Sequence, residues 1–538
     1  MAVFRAHVLV DTGATAVLKN AVAVKNALVE EIAKRGLDKE VKVLETGDLG
    51  ARGAVPAMIV YPDGIIYGPV TVEDVPEIVE EHLLKGRQVK RLAYTGESAA
   101  VVDSAAAPRC NELRVVLRNV GQIDPTSIEE YIAVGGYEVL GKALSKLEPF
   151  DIVEEVKASM LRGRGGAGFP TGLKWEFTAN APGAPKYIVC NADEGEPGNF
   201  KDRLILEGDP HSVIEGMVIA GYAVGANHGY IYIRGEYHQS VSHTEKAIAD
   251  ARAMGLLGKD IFGSGFDFDI EVFKGAGAYI CGEETALLES LEGRRGESRT
   301  KPPYPPSKGL MGAPTVINNV ETLACVPQIV ANGSKWYCGI GTGLSKGTKI
   351  FSPCGDVQYP GVYEVAFGTT LREIIYGMAG GIKDGHHFKA VLMGGPSGVL
   401  VGAGSLDLKL CAEELAPGAG ALIVMDDTKC IVDLMTNIAQ FFYHESCGQC
   451  APCREGCKRI LETFTRWTRG MGSVNDIKLL SELGETMSLT SKCGLGQFAS
   501  VAFKSGLPLF EDEYLAHLKD GVCPAGVCPM DKVAERVG

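Results

Sequence analysis

The feature that most constrains this chain is a run of three cysteines, each separated from the next by two residues. The run is Ser446-Cys447-Gly448-Gln449-Cys450-Ala451-Pro452-Cys453, and a fourth cysteine, Cys493, follows well downstream. Three thiolates at this spacing can face one cubane while a remote fourth closes it, whereas structural zinc usually takes two separated pairs. The pattern favours a [4Fe-4S] cluster on Cys447, Cys450, Cys453 and Cys493, with structural zinc as the alternative.

Length and charge limit the class of protein. A chain of 538 residues is too long for one ordinary core, so several domains are expected. The formal charge of -14 disfavours binding to a phosphate backbone, so we expect no nucleic-acid partner. Glu215 interrupts the most apolar stretch, which predicts no membrane span. The N-terminus has Arg5 and His7 and no secretory cleavage site, so we expect a cytoplasmic protein, free or peripheral to a membrane complex.

Most of the other cysteines do not form a ligand pattern. The chain has 15 cysteines, and in a large chain without a secretory signal these indicate metal ligands and buried thiols rather than disulfides. Seven are scattered among apolar neighbours and are interpreted as small buried hydrophobic residues. These seven are Cys190, Cys281, Cys325, Cys338, Cys354, Cys411 and Cys430.

Hydrophobic patterns along the chain predict an α/β multidomain fold. The predicted divisions are a small α/β module at 1–95, a linker at 96–110, a second α/β domain at 111–345, a strand-rich, β-grasp-like domain at 346–429, a helical bundle with the cysteine cluster at 430–520, and a short tail at 521–538. Predicted elements include helices at 128–133, 151–160 and 371–378 and strands at 187–190, 229–233 and 266–273.

A glycine-rich loop contains a G-x-G-x-x-G match at Gly163, Gly165 and Gly168. The dinucleotide fingerprint needs a strand before it and a helix after it, but here a helix precedes the loop and Pro170 follows almost at once. What remains is a glycine-lined shelf with two nearby cations, Arg164 and Lys174, that suit phosphate, and two rings, Phe169 and Phe177, that can stack on flat rings. A merely flexible loop is the alternative.

Two polar clusters follow apolar strands. Asn191, Asp193, Glu194 and Glu196 come directly after a predicted strand, where α/β proteins bind ligands, although a solvated acidic turn is the alternative. A second cluster places Glu283 and Glu284 at a predicted helix start, where two carboxylates could merely cap the helix. A segment with Lys301 and Tyr304 follows the second cluster.

Together with further motifs, these blocks resemble a known family. Arg118-Asn119 and Ile128-Glu129-Glu130-Tyr131 precede the glycine loop, and Asn318-Asn319-Val320-Glu321-Thr322 and Cys453-Arg454-x-Gly456 follow it. In this order, from Val115 to Val522, the motifs resemble the flavoprotein subunit of respiratory complex I and its soluble relatives. Those relatives are the NADH-binding β-subunits of NAD-dependent hydrogenases and formate dehydrogenases.

The resemblance implies a Rossmann-like domain that holds FMN on the glycine shelf and binds NADH beside it. Phe169 and Phe177 would then take the adenine side of NADH, while Glu284 would repel the 2′-phosphate of NADPH. The two residues implied to hold the reacting rings face to face are Glu196, near the nicotinamide, and Glu283. The implied cofactor-binding residues are Gly163, Arg164, Gly165, Gly166, Phe169, Lys174, Phe177, Asn191, Asp193, Glu194, Glu284, Lys301, Tyr304, Asn318 and Asn319.

The N-terminal module resembles the thioredoxin-like [2Fe-2S] domain often fused ahead of this subunit. At the places where that domain supplies its four cysteines, this chain has Asp11, Ala16, Asp48 and Arg52. The resemblance therefore implies a thioredoxin-like domain without a cluster, retained for docking.

The C-terminal tail also departs from the relatives that continue into a ferredoxin-like domain, because this sequence stops soon after Cys528. Three thiols and a histidine remain there and suit a structural zinc: Cys457, His517, Cys523 and Cys528. Free thiols or a docking element are the alternatives.

The expected function is NADH oxidation, or NAD⁺ reduction, in a multi-subunit oxidoreductase. Hydride would pass between NADH and FMN, and single electrons would then reach the [4Fe-4S] cluster and a partner. The expected partners are a small [2Fe-2S] thioredoxin-like subunit and further Fe-S or catalytic subunits. Flavin-based electron bifurcation and a relay subunit that no longer binds NADH are the alternatives.

Overall fold

The computed structural model describes residues 4–46, 49, 54–94 and 112–530. Within them lie three β-sheets and a helical C-terminal region. The strands are β1 Ala6–Asp11, β2 Val41–Thr46, β3 Met58–Tyr61, β4 Ile65–Tyr67, β5 Tyr187–Ala192, β6 His228–Ile233, β7 Asp269–Lys274, β8 Thr315–Asn319, β9 Thr348–Gly355, β10 Tyr363–Ala366, β11 Phe388–Met393, β12 Val399–Gly402 and β13 Ala421–Asp426. The prediction of a mixed α/β fold is therefore confirmed.

Twenty α-helices accompany these strands in the described part of the chain. They are α1 Ala14–Val17, α2 Ala21–Lys34, α3 Val75–Glu77, α4 Ile128–Ala133, α5 Glu138–Lys146, α6 Pro149–Ala158, α7 Thr171–Asn180, α8 Lys201–Gly208, α9 Pro210–Val224, α10 His238–Ala253, α11 Glu284–Leu291, α12 Pro305–Lys308, α13 Val320–Asn332, α14 Ser334–Cys338, α15 Ile431–Glu445, α16 Ala451–Trp467, α17 Asn475–Thr490, α18 Gly494–Phe498, α19 Val501–Gly506 and α20 Glu511–Leu515. None of the described helices is both long and apolar enough to cross a membrane.

The N-terminal sheet has the order β2-β1-β3-β4, with β1 parallel to β2 and antiparallel to β3. Successive side chains of a strand point to opposite faces. Val8 and Val10 accordingly enter one apolar core, while Leu9 enters a second core on the other face. The module contacts the next domain where the Gln239 side chain donates to the Thr12 carbonyl and Lys42 pairs with Glu130 at 2.9 Å. Of the four places where relatives carry cluster cysteines, Asp48 and Arg52 lie outside the described residues.

The second sheet is entirely parallel, with the order β7-β6-β5-β8. The apolar stretch around Val213 forms most of α9, which is buried along nearly its whole length and packs against α13 beneath this sheet. Because the chain leaves β5 toward one side and returns at β8 on the other, the carboxyl ends of these neighbouring strands face the same crevice. Asn191 pairs with Asn319 at that edge.

The third sheet has the order β10-β9-β13-β11-β12, in which the central strands β9 and β13 pair in parallel and the other neighbours are antiparallel. The predicted helix at 371–378 is largely a π-helical segment, Glu373–Met378. Strand β12 was not predicted, because its four residues carry little pattern on their own. Helix α19 packs against β12 and joins the C-terminal helices to this sheet.

The C-terminal region is helical from α15 onward, and the cluster cysteines lie in connections between its helices, except Cys453, which lies in the first turn of α16. Cys447 and Cys450 lie between α15 and α16, and Cys493 is the N-cap of α18. A buried aromatic group, Phe464, Trp467 and Phe503, packs edge-to-face between α16 and α19 and fixes these helices together. Rigid helices therefore hold both ligand segments.

Candidate functional site

The glycine loop closes on itself as a narrow hairpin. Gly163 N–H donates to the Phe169 carbonyl at 2.9 Å, and Thr171 N–H donates to the Leu161 carbonyl at 2.8 Å. Helix α7 begins at Thr171, and helix α6 rather than a strand precedes the loop. The loop therefore departs from the dinucleotide fingerprint in the way its sequence indicates.

The shelf lies against the carboxyl ends of β5 and β8. A Cβ added at Gly165 would lie 3.2 Å from the Cβ of Asn319, so a side chain here would crowd the floor of the shelf. Gly166 has a φ of 116°, which residues with side chains rarely adopt. Asn318 accepts from the Trp175 indole N–H at 2.8 Å, which fixes the amide and directs its NH₂ group elsewhere. These features form a cradle for a flat ligand.

Arg164 turns its side chain into the protein. Its guanidinium is buried and donates to the Arg162 carbonyl, the Tyr337 hydroxyl and the Lys346 carbonyl, and it lies over the Phe367 ring. The side chain therefore turns inward and anchors the loop, and the role of Arg164 in cofactor binding stays a prediction. Its backbone N–H donates to Thr322 Oγ1 at 2.8 Å.

Asp193 has a buried carboxyl group just beyond the end of β5. Its side chain is buried, and its Oδ2 atom has no hydrogen-bond partner among the described residues. Burial raises the pKa of this carboxyl to about 7, although Arg234 acts against the rise. Asn191 supports the loop, since it donates to the Gly282 carbonyl at 2.9 Å and accepts from the Asp193 N–H at 3.1 Å. A buried polar atom without a partner is costly, so this geometry fits the bound flavin that the shelf would hold.

Glu194, in contrast, has hydrogen-bond partners for both carboxylate oxygens within the protein. Its carboxylate accepts from the backbone N–H groups of Lys201, Asp202 and Arg203 at 3.0–3.1 Å, at the start of α8. Burial, with the neighbouring Asp202 charge, raises its pKa to about 7. The side chain therefore binds the first turn of α8, and the role of Glu194 as a cofactor ligand stays a prediction.

A buried charge network beneath the shelf was not anticipated from the sequence. Lys201 Nζ contacts Asp202 at 2.6 Å, Glu321 at 3.0 Å and the Asn319 side-chain oxygen at 3.1 Å. Glu321 also accepts from Lys349 at 2.6 Å, which extends the network into β9 of the next domain. Asn319 in turn donates to Asp202 at 2.7 Å. The amide of Asn319 is thus oriented by the network and presents its Cβ side to the shelf.

The second acidic cluster combines a helix cap with a half-buried chain of charges. Glu283 Oε2 accepts from the N–H groups of Thr285 and Ala286 at 3.0 Å, and its Oε1 accepts from Lys301 at 2.7 Å. Glu283 is therefore the N-cap of α11, and its role at the reacting rings stays a prediction. Glu284 pairs with Lys174 at 3.2 Å and lies 4.0 Å from Lys301.

Three aromatic rings in the sequence segments around Lys174 and Lys301 are exposed. Phe169, Phe177 and Tyr304 are 46%, 53% and 56% exposed, and none stacks on another ring among the described residues. Helix α12, which Tyr304 precedes, packs against α7, which carries Phe177. Large rings exposed together on a protein surface indicate a binding face.

Glu196 bridges the Tyr279 segment and the loop before β12. It accepts from the Tyr279 hydroxyl at 2.5 Å and from the Ser397 N–H at 2.9 Å, and burial raises its pKa. Tyr279 also donates its backbone N–H to Glu445 at 2.9 Å, only two residues before Cys447. Tyr279 and Ser397 were missed, although Tyr279 stands inside the glycine-rich motif around Gly275.

The four cluster cysteines form an all-thiol donor set, which fits a [4Fe-4S] cluster. Burial raises the pKa of Cys447, and the neighbouring thiols Cys450 and Cys453 contribute. Burial also raises the pKa of Cys493, against hydrogen bonds from the N–H groups of Leu495 and Gly496. Cys453 lies against the Cys493 segment, since a Cβ at Gly496 would be 2.8 Å from the Cys453 Cβ. The two sequence segments therefore meet.

A second group of ligands lies apart from this set, and one member differs from the prediction. Cys430, His517, Cys523 and Cys528 are buried, and their ligand atoms all lie within 4.8 Å of one another. Cys457 is not among them, because its Sγ lies 3.9 Å from Cys453 instead. Cys430, which was interpreted from its apolar neighbours as a plain buried thiol, is the fourth member of the group. A proposal that includes Cys457 is therefore wrong in that residue.

Two family descriptions match the chain. Residues 156–328 match the Nuo51 FMN-binding domain, and residues 433–517 match the NADH-ubiquinone oxidoreductase-F iron-sulfur binding region. The first range contains the glycine shelf, Asp193 and both asparagines of β8, and the second contains all four cluster cysteines.

Known proteins similar to this chain cover most of its length. The HndC subunit of the NADP-reducing hydrogenase of Solidesulfovibrio fructosivorans is 50% identical over 79% of this chain and 87% of its own. A NADH-quinone oxidoreductase subunit of Rhizobium meliloti is 48% identical over 76% of this chain and 99% of its own. A crystal structure of an NAD⁺-reducing [NiFe]-hydrogenase in the H₂-reduced state matches 96% of this chain and 84% of its own at 32% identity, with a TM-score of 0.68. The chain therefore belongs to the family of NADH-binding subunits with FMN and a [4Fe-4S] cluster that serve NADH-quinone oxidoreductases and related hydrogenases.

Proposed function

We propose that this chain transfers electrons between NADH and FMN and delivers them to its [4Fe-4S] cluster and then to a partner subunit. The observation that carries the proposal is Tyr279, which contacts Glu196 in the crevice through its hydroxyl and Glu445 beside Cys447 through its backbone. One residue thus joins the flavin crevice to the cluster segment. When bound, FMN would supply the chemistry, because it can take up a hydride and release electrons singly.

The role of the protein's own groups is placement. The glycine shelf and the amide of Asn318 would hold the flavin, with the unpartnered Asp193 oxygen at its polar edge. Phe169, Phe177 and Tyr304 offer rings for the adenine of NADH, and Glu196 lies where the nicotinamide would enter. Holding two reactants in a fixed geometry can supply a large part of a rate enhancement.

The charge chain around Glu284 supports a preference for NADH. A phosphate on the ribose would approach a carboxylate that is only half-buried and already paired with Lys174. That pairing weakens the repulsion but does not remove it. HndC is described as belonging to an NADP-reducing hydrogenase, so a mixed nicotinamide assay is the informative comparison.

Reduction of the flavin by NADH tests the proposed function most directly. After anaerobic reconstitution with FMN, iron and sulfide, NADH should bleach the flavin absorbance within the mixing time of a stopped-flow instrument. A flavin-loaded sample that NADH leaves unbleached, while dithionite reduces it, would contradict the proposal and favour an electron-relay subunit. The partners expected from the sequence, a small [2Fe-2S] thioredoxin-like subunit and other Fe-S subunits, would be identified by isolating the intact complex.

The strand orders support specific fold assignments for the three sheets. We propose that the N-terminal module is thioredoxin-like, that the parallel sheet is Rossmann-like, and that the third sheet is a β-grasp. When the strands of each sheet are numbered from 1 in chain order, the parallel sheet has the strand order 3-2-1-4 and the third sheet has the order 2-1-5-3-4.

We also propose that Cys430, His517, Cys523 and Cys528 bind a structural zinc. Cys430 Sγ lies 3.4 Å from His517 Nε2 and 3.5 Å from Cys528 Sγ, close to the roughly 3.8 Å between sulfurs bound tetrahedrally to one zinc ion. His517 Nδ1 faces the Glu513 carbonyl at 2.8 Å, which leaves Nε2 for the metal.

Metal analysis of two single variants tests this site. Purified protein should contain one zinc per chain, and Cys430→Ala should lose it while Cys457→Ala retains it. Equal zinc in both variants, or none in the intact protein, would contradict the assignment.

A further inference from the structure

One buried cysteine beside the cluster segment belongs to neither ligand group. Cys457 is 1% exposed, and its Sγ lies 3.9 Å from the Sγ of Cys453, one of the four cluster cysteines. Cys457 follows Cys453 by one turn of α16, and side chains four residues apart lie on the same face of a helix. The contact between the two sulfurs is therefore set by the helix itself.

Close packing against the neighbouring helix restricts this turn of α16. A Cβ added at Gly456 would clash with the Sδ atom of Met487, so α16 and α17 approach each other closely at the residue before Cys457. Cys457, Ile460 and Met487 are all buried in the same apolar core. The helix, and with it the position of Cys457 beside Cys453, is therefore fixed by its surroundings.

Ser446 approaches the same sulfur from the segment before the helix. Its Oγ lies 3.2 Å from the Cys453 Sγ, and it accepts a hydrogen bond from the Gly448 N–H at 3.2 Å. A hydroxyl has one hydrogen and two lone pairs, so accepting from Gly448 leaves the hydrogen of Ser446 available to Cys453. Two side chains, Ser446 and Cys457, thus contact one ligand sulfur.

Iron binding determines the direction of both hydrogen bonds. A cysteine sulfur bonded to iron is a thiolate without a hydrogen, so Cys453 can only accept. A buried thiol beside negatively charged sulfurs keeps its proton, because ionisation would add a further charge there. Cys493 differs, since its hydrogen bonds come from the backbone N–H groups of Leu495 and Gly496. The donors to Cys453 are side chains, and a substitution can therefore remove them one at a time.

We infer that Cys457, together with Ser446, donates a hydrogen bond to the Cys453 thiolate and thereby raises the reduction potential of the [4Fe-4S] cluster. Hydrogen bonds to the sulfurs are among the factors that set the potential of such clusters. They stabilise the reduced cluster most, because it carries one more negative charge and hydrogen bonds to charged groups are stronger. Cys457 is thus a positioning residue that acts through Cys453. The inference rests on the proposed function and deepens it, because a higher potential favours electron flow from flavin to cluster.

A redox titration of the cluster tests the inference. In the full chain, reconstituted anaerobically with iron and sulfide, dithionite and mediators reduce the cluster without NADH, and EPR measures the reduced fraction. At the wild-type midpoint, Cys457→Ala should lower the ratio of reduced to oxidised cluster roughly threefold, which is a shift of about 28 mV to lower potential. Cys457→Ser keeps a donor and should restore the wild-type ratio or exceed it, since a hydroxyl is the stronger donor.

Ile460→Val is the matched control for packing. Ile460 is buried on the same helix and in the same core as Cys457, and the substitution removes one buried carbon without removing a donor. Its midpoint potential should equal that of the wild type. Iron and sulfide contents should be the same in the wild type and in all three variants, which shows that each retains the cluster.

Infrared difference spectra provide a readout in the unmodified protein. S–H stretching bands lie in a spectral window free of other protein bands, so a reduced-minus-oxidised spectrum isolates a thiol whose hydrogen bond changes with the charge of the cluster. The wild type should show one such band, and Cys457→Ala should lose it. If Cys457→Ala does not retain a cluster, the wild-type spectrum and the potential of Cys457→Ser decide.

Three results would each overturn the inference. They are an unshifted midpoint in Cys457→Ala with its cluster retained, an equal shift in Ile460→Val, and a wild-type difference spectrum without an S–H band. Failure of NADH to bleach the flavin would contradict the proposed function instead. It would leave the potentials measured with dithionite as an independent result.

Discussion

Two buried charged regions lie side by side at the carboxyl edge of the parallel sheet, and they are satisfied in different ways. Lys201 lies among Asp202, Glu321 and the Asn319 amide, so each of its three donors has an acceptor. Asp193, also buried, leaves one carboxylate oxygen without a partner among the described residues. Both regions lie in the same wall of the crevice, but only the Lys201 region has all its hydrogen-bond partners within the protein.

The difference separates groups that are hydrogen-bonded within the protein from a carboxylate oxygen that can accept a hydrogen bond from a ligand. Buried charges persist when they are paired and hydrogen-bonded, because desolvation otherwise outweighs any gain. An unpaired buried carboxylate shifts its pKa upward instead, as Asp193 does. We therefore expect changes in the paired network to affect folding, and changes at Asp193 to affect cofactor binding.

The largest effect is expected from Lys201→Met. The substitution leaves the carboxylates of Asp202 and Glu321 buried with a lost partner, which costs about 3–5 kcal/mol when one member of a buried pair is removed. Denaturant midpoints of the FMN-free protein measure the loss. The surface pair Lys246–Asp250 provides a matched control, and Lys246→Met should change stability by less than about 1 kcal/mol. Equal losses of stability in Lys201→Met and Lys246→Met would contradict the view that the buried network stabilises the fold more than a surface ion pair does.

Asp193→Asn should behave in the opposite way. It removes a charge that has no buried partner, so the FMN-free protein should fold at least as well as the wild type at pH 8. Flavin binding should weaken by about 1.5–3 kcal/mol, the contribution of a hydrogen bond to a charged group, which is roughly 10- to 150-fold in affinity. Titration of FMN fluorescence measures this, with the exposed Glu245→Gln as the control. Unchanged affinity would show that Asp193 does not face the flavin.

The same contrast shows what the sequence can reveal. The cluster cysteines were found because three of them lie within seven residues, and a single turn dictates their geometry. Cys430 was missed because its partners are His517, Cys523 and Cys528, which meet it only when the tail folds back on α15. No local spacing encodes such a meeting.

The candidate site residues also differ in how far the sequence could predict them. Asn191 and Asp193 were predicted because they follow an apolar strand, where α/β proteins bind ligands, and Asn319 was predicted only from the family resemblance. The direction of each side chain was not predictable: Arg164 turns inward, and Glu194 and Glu283 cap helices. Lys349 reaches the network from another domain, so no motif around the shelf contains it. Local hydrophobic patterns therefore predicted the secondary structure, whereas the partners of each side chain depended on the tertiary fold.

Stability of the FMN-free protein should depend on pH through Asp193. Burial raises the folded pKa of this carboxyl from 3.8 to about 7. Between these values the unfolded chain has released the proton that the folded chain still holds, so stability falls as pH rises from about 4 to about 7. One such group contributes a slope of up to about 1.4 kcal/mol per pH unit. Denaturant midpoints across this range should therefore fall less steeply in Asp193→Asn, and parallel curves for the two proteins would contradict the assigned pKa.

Glu284 is intermediate between the two buried regions. Its carboxylate is half-buried, and the two lysines near it are also partly exposed. Lys174 lies 3.2 Å away and Lys301 4.0 Å away, so removing the charge of Glu284 frees two cations for a phosphate. Glu284→Gln should improve kcat/KM for NADPH relative to NADH by up to about tenfold, or 1.4 kcal/mol, chiefly through KM. Glu297→Gln, which removes a similarly half-buried carboxylate outside the crevice, is the control. An unchanged ratio in Glu284→Gln would mean that the ribose lies elsewhere and that the exposed rings of Phe169, Phe177 and Tyr304 do not mark the adenine side.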